Sequence, residues 1–298
     1  LRRISTVGIY DTPGSAAQVQ VVGSFAYQAD GSSGIHIFDI SNPTNIIRVG
    51  GFKGTNATWS SSQVAVAGSR AYVLASATDV TRAFEVLDIS SPTNVIWLGR
   101  YRSNVLTGPL RVSGSRAVCL ASGGGIQILD ITEPTNITFL GSAPGPGGIS
   151  DIDLQGSRAY IAAGRAGIVV DDISNPSNIV ELGGHTTHYS AQGVRVAGSY
   201  AYVADSYAGL SAMDVSDPSN IRIVGTFDTF ANYFGICAVG NHVFVADDFE
   251  GLQVFDVSNP AAPVRVSSPT ANGDATSVQV LDDRAYMAGT SGLRIFDV

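Results

Sequence analysis

Asp39-Ile40-Ser41-Asn42-Pro43 decides the fold, because the chain keeps returning to it. Variants of the same string begin at Asp88, Asp130, Asp172, Asp214 and Asp256, and a shortened copy, Asp297-Val298, ends the sequence. The steps between them are 49, 42, 42, 42, 42 and 41 residues. A period of roughly 40–50 residues is that of propeller blades.

One unit, residues 191–228, shows how the period is filled. Gly193-Val194-Arg195-Val196 alternates in polarity and Gly198-Ser199 turns the chain. Ala201-Tyr202-Val203-Ala204 is a second run and Leu210-Ser211-Ala212-Met213-Asp214-Val215 a third. Ser216-Asp217-Pro218-Ser219-Asn220 carries strong turn chemistry and leads into a fourth run, Ile221 to Phe227. Short β-rich runs divided by Gly, Pro, Asn and Asp predict four-stranded all-β units, and helical periodicity is absent. The strands are named A to D from the ring axis outward.

Strand D carries a glycine after an apolar pair, at Gly50, Gly99, Gly141, Gly183 and Gly225, with Ser267 in its place once. Ile4-Ser5-Thr6-Val7-Gly8-Ile9-Tyr10 fits that template one period before Gly50. The last unit has strands A, B and C only, so its strand D is expected to be residues 3–10. The sequence thus predicts a single domain over 1–298, an all-β seven-bladed propeller whose N-terminal strand closes the ring and leaves no open sheet edge at the seam. The blades span approximately 16–54, 62–104, 108–144, 149–187, 191–230, 234–268, and 274–298 together with 1–12.

Bulk properties narrow the function. The 298 residues are 44% hydrophobic, enough for a large core. Net charge is -8, Lys53 is the one lysine and the arginines are scattered, which argues against nucleic acid and against an anionic membrane surface. No apolar run approaches the roughly 18 residues that span a bilayer, so no membrane insertion is expected. Cys119 and Cys237 fall on different blades and different strand types and read as small packing residues, not a disulfide or a metal pair. The chain opens inside a strand without a signal peptide, which suggests a processed or trimmed product.

The stretches Gly209-Leu210-Ser211-Ala212-Met213-Asp214-Val215-Ser216-Asp217-Pro218 and Gly251-Leu252-Gln253-Val254-Phe255-Asp256-Val257-Ser258-Asn259-Pro260, with their relatives along nearly the whole chain, resemble the LVIVD-repeat family of propellers. The resemblance implies a secreted or cell-surface protein and leaves the chemistry open, since fold alone does not assign it.

Loops D-to-A and B-to-C share one face, the top, and vary from blade to blade. The bottom loops are uniform. Variable loops on a rigid scaffold are where function concentrates. His185, His188 and Tyr189 form one top group, able to supply a metal ligand or a general base; a solvated polar loop is the plainer reading. Asp30, Asp205, Asp247, Asp248 and Glu250 form a second group with Tyr207 and Phe249. Their oxygens suit Ca²⁺, whereas an Asx-type turn accounts for Asp30, Asp205 and Asp247 without a ligand.

A third group follows from aligning strands A on Gly23, Gly68, Gly114, Gly156, Gly198, Gly240 and Asp282. Three residues earlier stand Gln20, Ala65, Arg111, Asp153, Arg195, Cys237 and Gln279, on the face opposite the apolar neighbours and toward a central channel. Arg111, Asp151, Asp153 and Arg195 there read either as a self-neutralising ion-pair set or as a pocket for an anionic or polyhydroxylated ligand. Trp59, Tyr207, Phe230 and Tyr233 in the top loops are candidates for stacking on sugar rings. Blade 2 is longer, through the loops Gly54 to Ser62 and Ser76 to Arg82, where Asp79 and Arg82 can pair.

Three functions fit. The first is a non-enzymatic binding or scaffold propeller outside the cell, without cofactor, taking a protein partner or a glycan at its top face. The second is a lyase-like enzyme on acidic polysaccharide, with Arg111, Arg165 or Arg195 neutralising a carboxylate and His185, His188 or Tyr189 as base. The third is an adhesion module dependent on Ca²⁺ held by Asp205, Asp247, Asp248 and Glu250.

Overall fold

The computed structural model describes residues 4–54, 59–76, 82–229, 233–267 and 275–298. They form seven four-stranded antiparallel sheets. The innermost strands are Gln18–Val22, Ser60–Ala67, Leu106–Ser113, Asp151–Gln155, Gly193–Ala197, Tyr233–Val239 and Ala275–Leu281. Each touches the next, and the last returns to the first, so the sheets stand as blades of a seven-bladed propeller. The strands of blades 2 and 3 begin two residues earlier than the sequence reading placed them.

The ends of the chain meet as expected. Ser5–Tyr10 lies antiparallel to Gly292–Asp297, with Ser5 opposite Asp297 and Tyr10 opposite Leu293. Arg3, the first residue of the expected strand, lies outside the described residues. Pairing here converts two sheet edges into one interior ladder.

The strand-D glycine now has a cause. In every blade the C–D pairing slips by one residue, and Gly8, Gly50, Gly99, Gly141, Gly183, Gly225 or Ser267 sits at that bulge. A Cβ on any of the six glycines would collide with the carbonyl oxygen of the proline in the next blade's C-to-D loop: Pro43, Pro92, Pro134, Pro176, Pro218 or Pro260. Ser267 is the exception because its next neighbour, blade 7, takes its strand D from Ser5–Tyr10 and has no C-to-D loop.

Apolar side chains fill the seams between blades. Across the closure seam, Tyr286, Ala288, Leu293 and Ile295 of blade 7 meet Val19, Val21, Ala26 and Phe38 of blade 1. Each fully buried residue of Phe38's size stabilises by about 1.5–3 kcal/mol. The repeated aspartate caps the turn after strand C. Asp39, Asp88, Asp130, Asp172, Asp214 and Asp256 each accept from the backbone N–H two residues on, at 2.8–3.1 Å. No helix among the described residues is long and apolar enough to cross a membrane.

Candidate functional site

The channel is built by strands A. Their alternation sends Val64, Leu110, Ile152 and Val194 into the seams, fully buried. The residues between them face the axis: Gln20, Ala65, Arg111, Arg195, Cys237 and Gln279 line a cavity of about 230 Å³. Above it a mouth of about 100 Å³ is bounded by Gln18, Gln63, Asp151, Gln192 and Phe234, and Arg111 and Arg195 border both.

Asp151 sits between the two arginines. Its Oδ1 accepts from Arg111 Nη2 at 2.7 Å and its Oδ2 from Arg195 Nη1 at 2.6 Å. Arg111 also donates to its neighbour's carbonyl on Leu110, and Arg195 to Val194. Burial, then the like charge of Arg195, pulls the Arg111 pKa down. Burial acts the same way on Arg195, but Asp151 and Asp153 outweigh it and hold that pKa above its ordinary value.

Asp153 has a different task. Its Oδ2 accepts from the backbone N–H of Val196 in the next blade at 2.8 Å. The pattern recurs: Gln18 takes Val64 N, Gln20 takes Val66 N and Gln279 takes Val21 N, at 2.7, 2.7 and 2.5 Å. These channel side chains satisfy strand-A edge donors that have no ladder partner. The sequence reading singled out Arg111, Asp151, Asp153 and Arg195 and overlooked Gln18 as a lacing residue. The signal was there, an amide five residues before the turn glycine. With two arginines on one carboxylate and a second carboxylate beside them, the channel set is internally neutral.

The top loops hold the other candidates. Asp205 is fully buried, and both oxygens are taken by the incoming D-to-A loop. Thr187 Oγ1 donates to Oδ1 at 2.7 Å, the His188 N–H donates to Oδ2 at 2.8 Å, and the Tyr189 N–H is shared between the two at 3.2 Å. Asp30 holds Thr12 and Gly14 in the same way and adds His36 at 3.2 Å. Burial raises the Asp30 pKa, but the bonds from His36, Thr12 and Gly14 prevail and keep it below the usual carboxylate range. Asp247 makes the Asx turn itself, to Phe249 N at 2.9 Å. Glu250 bonds Gln253 at 2.6 Å and Arg265 at 3.3 Å, while Asp248 is half-buried. Among the described residues no three His, Cys, Asp or Glu side chains converge to hold a metal ion.

Two aromatic assignments are corrected. Trp59 is 1% exposed, edge-on to Phe52 at 5.7 Å, with its Nε1 donating to buried Glu85 at 3.3 Å. Tyr233 is fully buried against Phe255, and burial raises its pKa. Both rings are packed into the apolar clusters between blades, so neither is placed to stack on a ligand. Tyr207 stays 51% exposed and meets Tyr189, 58% exposed, edge to face at 5.4 Å. Phe230 and Asp79 lie outside the described residues, and Arg82 is exposed. Arg165 is exposed on the top turn of blade 4. His185 Nδ1 lies 2.6 Å from the Thr186 carbonyl.

His188 borders a groove of about 340 Å³ with Tyr207, Ala208, Thr226, Asp228 and Thr229. None of these is an arginine, so the groove does not unite a base with Arg111, Arg165 or Arg195. Asp228 was missed by the sequence reading, since a lone acid in a loop carries no pattern. A polar position in strand C, three before the repeat aspartate, was missed too: His36, Glu85, Ser211 and Gln253 are buried there, Gln127 and Arg294 half-buried, and Val169 alone is apolar. Glu85, fully buried, accepts from Arg100 Nη2 at 2.6 Å.

The family described as LVIVD repeat matches residues 13–53, 60–103, 146–187, 190–229, 235–270 and 272–298, well over half of the chain. No curated protein sequence matches it. Among solved structures, the chain is similar to the WD40 β-propeller domain of Doa1, with a TM-score of 0.75, 9% identity, and 99% of this chain and 97% of that one covered. It is similar to the β-propeller domain of Myceliophteria thermophila Cps50 (Swd1), with a TM-score of 0.74, 12% identity, and 99% of each covered. It also resembles the computationally designed Ika8 protein, with a TM-score of 0.69, 10% identity, and 98% and 99% covered. At such identities the likeness concerns the fold.

Proposed function

This chain belongs to the LVIVD repeat family, and from that premise we propose that it is a non-enzymatic binding propeller outside the cell, taking a glycan or a protein partner on its top face. The exterior location is what the family resemblance implies. The observation that carries the binding reading is a cluster of exposed rings; Trp97 and Phe139, each 48% exposed, stand apart from it on the outermost strands of blades 2 and 3. Tyr189, Tyr207, Phe234 and Phe249 are 58%, 51%, 39% and 65% exposed. All four stand on the top of two adjacent blades, 5 and 6. Solvent-facing aromatics gathered on one face are the usual anchors of a binding surface.

Two further observations support the reading. Asp205 fixes residues 187–189 from below, so the loop is held in place before any partner arrives, which lowers the ordering cost of binding. The channel arginines are already neutralised by Asp151 and Asp153 together, which favours the top face over the channel as the working surface.

The test is sedimentation with isolated cell envelopes of the source organism. The variant Tyr189→Ala/Tyr207→Ala/Phe249→Ala is expected to lose retention. The bottom-face control Val22→Ser/Val239→Ser, at positions 42% and 43% exposed, is expected to keep it. Equal retention by both variants sinks the proposal.

A further inference from the structure

We infer that the groove between His188, Tyr207 and Asp228 is a subsite for a neutral hexopyranose unit of a glycan. This rests on the binding reading above and names its ligand class.

The groove is built rather than incidental. One wall is the ring of Tyr207, braced edge to face by Tyr189. The loop bearing His188 is tied down by the buried Asp205 through three consecutive residues. The opposite wall is the end of strand D of blade 5 (Arg222–Phe227) and the residues after it, which present Thr226, Asp228 and Thr229.

The chemistry selects the ligand. The C–H face of a pyranose is weakly positive at its hydrogens and suits the negative face of a tyrosine ring. A carboxylate accepts from two adjacent hydroxyls at once, and such charge-assisted bonds are the strong ones. Asp228 is exposed and has no side-chain partner among the described residues, so its oxygens are available. Two threonine hydroxyls and an imidazole add three further hydrogen-bonding groups to the lining. That number fits a ring bearing several hydroxyls. A single ammonium or guanidinium would use the carboxylate and the aromatic face and leave the other three idle. Acidic sugars are disfavoured because Asp228 repels them and no lysine or arginine lines the groove. The volume of about 340 Å³ accommodates one such ring with its solvent.

The test is protein-observed NMR on the intact chain with methyl glucoside, methyl galactoside, methyl mannoside and methyl N-acetylglucosaminide. Free glucuronate and N-acetylarginine amide serve as the acidic and basic probes. At least one neutral glycoside is expected to shift the Tyr207 and Thr226 resonances with a Kd of about 1–10 mM. Asp228→Asn and Tyr207→Ala are expected to weaken that binding about ten-fold or more while leaving Tm unchanged, since both side chains are exposed. The inference is overturned if no neutral glycoside moves these resonances at about 100 mM, well above such a Kd. It is equally overturned if the arginine or glucuronate probe binds there instead, or if Asp228→Asn binds as the parent does. Retention on envelopes by Asp228→Asn, with no glycoside response in the parent, would sink the subsite and leave the binding reading standing.

Discussion

Asp151 holds two guanidinium groups that have no other carboxylate at hydrogen-bonding distance among the described residues, so its loss is felt twice. Asp151→Asn is expected to destabilise the fold by about 3 kcal/mol, the lower end for uncompensated buried charge because the channel is partly wet. Asp153→Asn, which weakens one bond to a backbone N–H, is expected to cost about 1 kcal/mol. Urea unfolding of the two variants checks the order. Asp171 is the opposite case. It stands where Phe38, Leu87, Leu129, Met213, Phe255 and Phe296 stand in the other blades, and it is 4% exposed. Burial, and then the charge of Glu181 opposite, lifts its pKa to about 6. A carboxyl raised on folding favours the fold fully below its unfolded pKa, near 4, and that favour is lost as pH rises through 6. Asp171→Leu is therefore expected to be more stable than the parent at pH 7–8 by about 1–2 kcal/mol, with the gain vanishing toward pH 4. Thermal melts across that range check it; a gain independent of pH would refute it. The departure at Asp171 is legible in the aligned repeats. Its surroundings are not, because Glu181 joins it only through the strand-D bulge.

At the scale of strands and turns, the repeat preserves two backbone collisions avoided. The strand-D glycine lies under the next blade's proline carbonyl, so Gly141→Ala is expected to force the seam between blades 3 and 4 apart at a cost of about 2–3 kcal/mol. The equivalent Ser267→Ala faces no such carbonyl and is expected to be nearly neutral; calorimetry of both checks the contrast. In the A-to-B turn six glycines adopt φ of 56–61°, and Asp282 holds the same place at 52°. Asp282→Gly is expected to stabilise by about 0.5–1 kcal/mol, read as a rise in Tm. The sequence alone revealed the glycine, the exception and the missing strand, since each is a matter of counting along a period. It did not reveal the reason, because the colliding carbonyl belongs to another blade, about one period away. The same distance explains why Trp59 and Tyr233 were misread. They were judged as loop residues by position, and whether a loop ring turns into a seam depends on the space left by the neighbouring blade.

For the molecule as a whole, stability depends on closure. Deleting residues 1–10 is expected to uncover Gly292–Asp297 as a free edge and part of the seam around Phe38 and Leu293. The expected result is a lower Tm and association in light scattering, and a truncated chain that stays monomeric at the parental Tm would contradict it. The same pairing fixes how the molecule can be mounted. Ser5 and Asp297 leave blade 7 side by side on the bottom, away from Tyr207 and Asp228. Anything tethered through either end would carry the top loops outward, like a cup on its stem. Tension drawn through both ends together would open the clasp rung by rung, so a molecule strung between two anchors would fail at its own fastening before any blade unravelled.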